Sequence, residues 1–113
     1  MSNNPDSARY ALGVAEKVGE PCWQLPIWPE LSKEIRSKVA DLKYITSPGV
    51  KAGTVAAGRF LQEFVGKTPW VHIDIAGTAW NCKASGYPTS GASGFIVKTL
   101  VQLCHAISEH KPQ

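Results

Sequence analysis

Apolar residues recur at helical spacing in four stretches of the chain. In Lys51–Val65, Ala57, Phe60, Leu61, Phe64 and Val65 stand at i, i+3, i+4, i+7 and i+8, which predicts a helix with one unbroken apolar stripe. Its first half holds Ala52, Gly53, Ala56, Ala57 and Gly58, small side chains that allow close backbone approach. Near the start, Asn4 suits a helix cap, Pro5 the first helical position and Gly19 the exit. Between them Ala11, Leu12, Val14, Ala15 and Val18 keep helical spacing. Near the end, Ser93 suits the cap of a last helix with Ile96, Leu100, Leu103 and Ile107 on one face.

One stretch has the period of a strand. In Trp70–Ala76, Val71, Ile73 and Ile75 alternate with Trp70, His72, Asp74 and Ala76. Both faces are bulky, which predicts an interior strand covered on both sides. The segment GEPCWQLPIWPE carries Pro21, Pro26 and Pro29, so regular structure breaks there. Its Trp23, Leu25, Ile27 and Trp28 require the loop to lie against something. Pro29 suits the start of a short helix with Leu31, Ile35 and Val39 on one face. Ala40–Ile45 is ambiguous, and turns are expected at Ser47-Pro48-Gly49 and at Gly66-Lys67-Thr68-Pro69.

This order is the tail of an α/β layout, with one strand between covering helices. A single strand makes no sheet. Its neighbours must come from Ala40–Ile45, from another chain or from residues not present here. A length of 113 residues fits one small domain or a piece of a larger one. The chain is read as one partial domain over residues 1–113, with 1–7 and 108–113 fraying. Gly77–Ala92, rich in Gly, Ser, Thr and Pro, is read as a loop.

Composition narrows the class. Hydrophobic residues make up 43% and charged residues 19%, near globular averages, which argues against disorder. No apolar run approaches the ~20 residues that cross a bilayer, so no membrane role is expected. MSNNPDSARY lacks the basic and apolar regions of a secretory signal, which points to the cytoplasm. The net charge of +3 comes from scattered Lys and Arg, which gives nucleic-acid binding little support. Cys22, Cys82 and Cys104 lie far apart, and an odd count without paired spacing argues for free thiols rather than a disulfide framework.

Several residue groups could carry chemistry. His72 and Asp74 are neighbours on one strand face, an arrangement suited to orienting an imidazole or holding a metal. No further His or carboxylate stands nearby at ligand spacing, so a buried structural pair is the simpler reading. Cys104, His105 and His110 lack the paired ligand spacing of zinc sites. Gly91-Ala92-Ser93-Gly94 precedes a helix, as anion-binding loops do, but matches neither phosphate-loop pattern. A capping serine in a flexible loop suffices. Of the tryptophans at 23, 28, 70 and 80, Trp80 is the one best placed to meet a ligand, because it follows the carboxyl end of the strand.

Taken together, several segments resemble the end of the catalytic domain of M17 leucyl aminopeptidases. They are AGTVAAGRFLQEFV (52–65), WVHIDIAGTAW (70–80) and SGASGFIVKTLVQL (90–103), preceded by GEPCWQLP (19–26) and SKVADLKY (37–44). The resemblance runs in order over about residues 8 to 104. It implies the C-terminal portion of a mixed-sheet, three-layer α/β/α catalytic domain, with few strands in this chain. It also implies a hexameric exopeptidase that removes N-terminal residues from peptides with two divalent metals, Mn or Zn. The family's Asn-Thr-Asp-Ala-Glu-Gly-Arg segment, which carries metal ligands, has no counterpart here. No metal ligand and no catalytic residue is therefore carried over, and no cofactor is expected on this chain alone.

What the resemblance does carry over is a wall of the substrate pocket at Ala76, Gly77 and Ala79. Small residues there leave room for a Leu-like side chain. The sequence departs from the family pattern at Tyr44 (usually Asn), Ser93 (usually Thr) and Lys98 (usually Arg). The implied partners are a peptide substrate in the full enzyme, further copies in a homo-oligomer, or a separate N-terminal catalytic half. The alternative is a non-catalytic module that uses the same fold for assembly or binding.

Overall fold

The computed structural model describes residues 1–81 and 91–109. In chain order they form helix α1 (Pro5–Lys17), a 3-10 turn (Pro29–Ser32), helix α2 (Gly53–Val65), strands β1 (Trp80–Asn81) and β2 (Gly91–Ala92), and helix α3 (Val97–Glu109). Helix thus predominates and strands are few, as suits a part of an α/β domain. Among the described residues the sheet is a two-residue antiparallel pairing, Trp80 with Ala92 and Asn81 with Gly91. The described chain divides into two compact units.

The first unit comprises Met1–Arg9 and Gln24–Ile73. Asn4 caps α1 as expected, its side-chain oxygen accepting the Ser7 N–H at 2.8 Å. Residues 1–7 were expected to fray, and the first three are instead tied to residues 68–72. Met1 N donates to the His72 carbonyl (3.0 Å), and His72 N donates back to Met1 (2.9 Å). Asn3 offers its amide nitrogen to the Thr68 carbonyl (2.8 Å) and its oxygen to the Trp70 N–H (2.9 Å). That side chain thereby imitates the donor and acceptor of a neighbouring backbone.

The strand expected over Trp70–Ala76 shrinks for a related reason. Val71 forms an antiparallel bridge with Ser2, and residues 72–75 are not assigned to a strand. A strand is defined by its ladder, and the first residues reach only as far as His72. Residues 70–73 are half-buried and Asp74 is exposed, so the interior position covered on both sides is not realised. The alternation persists locally, because Trp70 and His72 stack at 5.8 Å with 21° between their rings.

The helix expected from Pro29 through Val39 ends at Ser32. Ser37 Oγ accepts the N–H groups of Val39 and Ala40 at 3.2 Å, a local bond that competes with helix. Arg36 then bridges Leu42, and the ambiguous Ala40–Ile45 segment folds back on its own neighbour. Leu31 and Ile35 are buried, whereas Val39 is exposed. The turn at Ser47-Pro48-Gly49 forms, with Val50 N donating to the Ser47 carbonyl (3.1 Å) and Gly49 at φ +92°.

In α2 the small-residue half is the buried half. Val55, Ala56 and Gly58 are covered, and a Cβ on Gly58 would lie 2.8 Å from Met1 Sδ. Arg59 ties α2 to the 3-10 turn through Nε to Ser32 Oγ (2.9 Å). It also donates to Gln62 Oε1 (2.8 Å) and Glu63 Oε1 (2.5 Å). The apolar stripe is only partly covered, with Leu61 and Phe64 exposed and Ala57, Phe60 and Val65 half-buried. Its pattern therefore demands more cover than these residues supply.

The second unit comprises Tyr10–Trp23 and Asp74–Gln113. Here Gly19 (φ +74°) closes α1 just past its last residue, Lys17, with Gly19 N donating to Glu16 O (3.1 Å) and Glu20 N to Ala15 O (2.9 Å). This pair of bonds is a Schellman closure. It delivers the Glu20 carboxylate to Thr99 in the first turn of α3. The loop after it does not bury Trp23, which is 89% exposed.

The buried face of α3 differs from the expected one. Ile96 and Thr99 are buried, Leu103 and Ala106 are half-buried, and Leu100 and Ile107 face solvent. The Glu20–Thr99 contact sets this rotation. The result is an exposed apolar stripe of Val97, Leu100, Val101 and Ile107. Ser108 and Glu109, expected to fray, continue the helix.

Candidate functional site

The loop that leaves the former strand is built by its own backbone. Asp74 Oδ1 accepts the Ala76 N–H at 2.9 Å. The Ile75 carbonyl then accepts the N–H groups of Thr78 (2.9 Å) and Ala79 (2.8 Å), and the Thr78 hydroxyl at 3.3 Å. Ala76, Gly77 and Ala79, which the sequence resemblance assigns to a substrate pocket, thus occupy one tight turn. Ala76, Gly77 and Thr78 are exposed, and Ala79 is half-buried. Ala and Gly suit such a turn because they add no bulk over its outer surface.

Ser93 holds the turn from its far side. Its hydroxyl donates to the Thr78 carbonyl at 2.5 Å, and its N–H donates to the Ala79 carbonyl at 2.9 Å. The same oxygen accepts the Phe95 N–H at 3.1 Å. Ser93 was expected as the cap of the last helix. It does turn the chain toward α3, but the helix begins four residues on, at Val97. The clamp on Thr78 and Ala79 could not be read from sequence, because nothing in local spacing points across the 15-residue separation.

In the same unit a carboxylate is buried at the start of α3. Glu20 is 4% exposed and Thr99 is fully covered. Glu20 Oε2 accepts both the Thr99 N–H (2.9 Å) and the Thr99 hydroxyl (2.8 Å). Burial pushes the Glu20 carboxyl up, but the two Thr99 bonds and the Lys98 charge together hold it below the usual carboxylate value. A negative charge also suits the positive end of α3. Lys98 itself donates to the Val18 carbonyl at 3.1 Å. Nearby, Cys22 Sγ lies 3.5 Å from the Glu20 carbonyl. Burial first, and the Glu20 charge second, push the Cys22 thiol up.

The other candidates separate. Asp74 shapes the turn through Ala76, and the His72 ring stacks on Trp70. Cys104 and His105 lie exposed on α3, while Cys82 and His110 lie outside the described residues. Among the described residues no group of three His, Cys, Asp or Glu side chains could hold a metal ion. Gly91, Ala92 and Gly94 belong to the β2 approach, where Ser93 spends its hydrogen bonds on Thr78, Ala79 and Phe95. Trp80 is 67% exposed and follows the turn directly. No helix among the described residues is long and apolar enough to cross a membrane.

The catalytic domain of the cytosol aminopeptidase family (peptidase family M17) matches residues 1–101. A probable cytosol aminopeptidase of Desulforapulum autotrophicum is 50% identical over 104 residues, 91% of this chain and 20% of its own length. One from Clostridium tetani is 49% identical over 103 residues, again 91% of this chain and 21% of its own. Among solved structures, the bottromycin maturation enzyme BotP superposes with a TM-score of 0.81 at 33% identity, covering 96% of this chain and 24% of that one. A second BotP structure, in complex with Mn, gives 0.79. The chain therefore spans about a fifth of the length of these curated relatives. Within that span the chain belongs to the cytosol aminopeptidase family, M17, and corresponds to part of its catalytic domain.

Proposed function

We propose that this chain is the C-terminal segment of a metal-dependent leucyl aminopeptidase, a cytoplasmic enzyme that removes N-terminal residues from peptides. The observation that carries the reading is the family match over residues 1–101 in a chain that spans a fifth of its relatives. On this reading the segment completes a three-layer α/β/α domain. Ala76, Gly77 and Ala79 form a wall of the pocket for the substrate's first side chain, and their small size admits a Leu-like group.

The family segment that carries metal ligands, Asn-Thr-Asp-Ala-Glu-Gly-Arg, has no counterpart in this sequence, so two divalent ions, Mn or Zn, would be held by residues outside this chain. Such ions would activate a water and polarise the peptide carbonyl. This chain's contribution is to bound the pocket. The exposed apolar faces of α2 and α3 support the same reading, since apolar helix faces are ordinarily buried. They would be covered by a metal-binding N-terminal half, or by further copies in a hexamer.

The test is a transplant. The matching segment of the Desulforapulum autotrophicum relative is replaced by residues 1–113, and hydrolysis of leucyl-p-nitroanilide with Mn²⁺ is measured. The chimera should turn over, and the purified chain alone should not. Turnover by the chain alone would show that it has catalytic machinery of its own. A folded but inactive chimera would favour the alternative, a non-catalytic module that uses this fold for assembly.

A further inference from the structure

Each polar group of the Ala76–Ala79 turn named above is met from a definite direction. Inward, Asp74 and the Ile75 carbonyl fix the N–H groups of Ala76, Thr78 and Ala79. Outward, the carbonyls of Thr78 and Ala79 are both met by one residue, Ser93, through its hydroxyl and its N–H. The Ser93 hydroxyl has its single proton on Thr78 O and receives the Phe95 N–H on a lone pair. With donor and acceptor both engaged, its rotamer is fixed. Directly beyond, Trp80 pairs with Ala92, so the tie is continuous with the β1–β2 pairing.

From this geometry we infer that Ser93 is a positioning residue. It sets the height of the Ala79 backbone, and so the depth of the pocket for the first side chain of a peptide substrate. The inference rests on the pocket reading proposed above. Ser93 touches no substrate in this scheme. It acts through the backbone of Thr78 and Ala79, the second of which belongs to the wall. Removing its hydroxyl frees the Thr78 carbonyl and leaves the Phe95 N–H without its acceptor. The wall then loses one of two outward ties while its inward ties remain. A loosened wall discriminates less among side chains but leaves the chemical step unchanged.

The test uses the chimera with Ser93, Ser93→Ala and Ser93→Thr, assayed on leucyl- and alanyl-p-nitroanilide. Ser93→Ala should raise KM for the leucyl substrate about fivefold, the scale of one hydrogen bond. The leucyl-to-alanyl preference should fall by a similar factor, with kcat little changed. Ser93→Thr keeps the hydroxyl and should restore both. Unchanged KM and preference in Ser93→Ala, or a fall in kcat alone, overturns the inference.

Amide hydrogen exchange on the isolated chain provides a readout independent of activity. Ser93→Ala should speed exchange at Phe95, Thr78 and Ala79 while α1 is unaffected. Unaltered exchange at these amides overturns the positioning role, even if the chimera is inactive. An inactive chimera with the expected exchange pattern instead overturns the aminopeptidase reading and leaves the clamp standing.

Discussion

Glu20 and Thr99, 79 residues apart in sequence, meet through two hydrogen bonds to one carboxylate oxygen. The contact joins the end of α1 to the first turn of α3. It also fixes which face of α3 is buried.

Acid should therefore weaken this unit through Glu20. Its folded carboxyl titrates below the ordinary value, which is about 4.3. A depressed folded value contributes stability that is fully present above the unfolded value and is lost as pH falls through the folded one. Glu20→Gln should lower Tm at pH 7 and have a flatter acid limb than the wild type. The gap between the two should be constant above pH ~5 and narrow below pH ~4. Thermal melts from pH 3 to 8 check this, and a gap independent of pH would refute it.

Cys22 and Cys104 should differ in reactivity. The thiolate is the reactive form, and burial together with the Glu20 charge raises the Cys22 thiol. Cys104 is exposed. In a Cys82→Ser background at pH 7.5, a disulfide reagent should label Cys104 first and Cys22 several-fold more slowly. Glu20→Gln should speed Cys22 labelling. Equal rates at both sites would contradict the assignment.

Arg59 should not be replaceable by Lys. Its guanidinium reaches Ser32, Gln62 and Glu63 at once, a fork that an ammonium does not reproduce. Arg59→Lys should cost about 1–2 kcal/mol in urea unfolding. Arg36→Ala should cost under about 0.5 kcal/mol, because its 3.8 Å pairing with Glu63 starts from a side chain that is 60% exposed.

Substitution on the outer face of α3 should have opposite effects in two contexts. Leu100 and Ile107 are exposed in this chain. Leu100→Lys with Ile107→Lys should leave the circular dichroism of the isolated chain intact and change stability by about 0.5 kcal/mol per site or less. In the chimera the same pair should abolish assembly and activity if the face is covered there. Retained activity would mean that the face stays in solvent.

The contrast between Asn4 and Ile73 shows what could be read from the sequence. Asn4, Pro5 and Gly19 bracket α1 through bonds spanning a few residues, so the helix and its cap were legible. The turn at Ser47–Gly49 was legible for the same reason. Ile73 sits in a stretch with strand periodicity, but a strand needs a partner, and the first residues reach only to His72. Phe64 and Leu100 follow helical spacing faithfully. Their pattern records a cover that these residues do not provide. At the candidate site, Ala76–Ala79 came from a family resemblance over contiguous residues. The Ser93 clamp and the Glu20–Thr99 pair are long-range contacts that no local period encodes.

The open placement of the tryptophans gives the protein an optical gauge. Trp23 and Trp80 are 89% and 67% exposed, so the free chain should emit at the red end of indole fluorescence and be quenched readily by iodide. Any partner that seats on these surfaces must dry the indoles. A blue shift with loss of quenching would then report engagement in real time, without a label and without turnover.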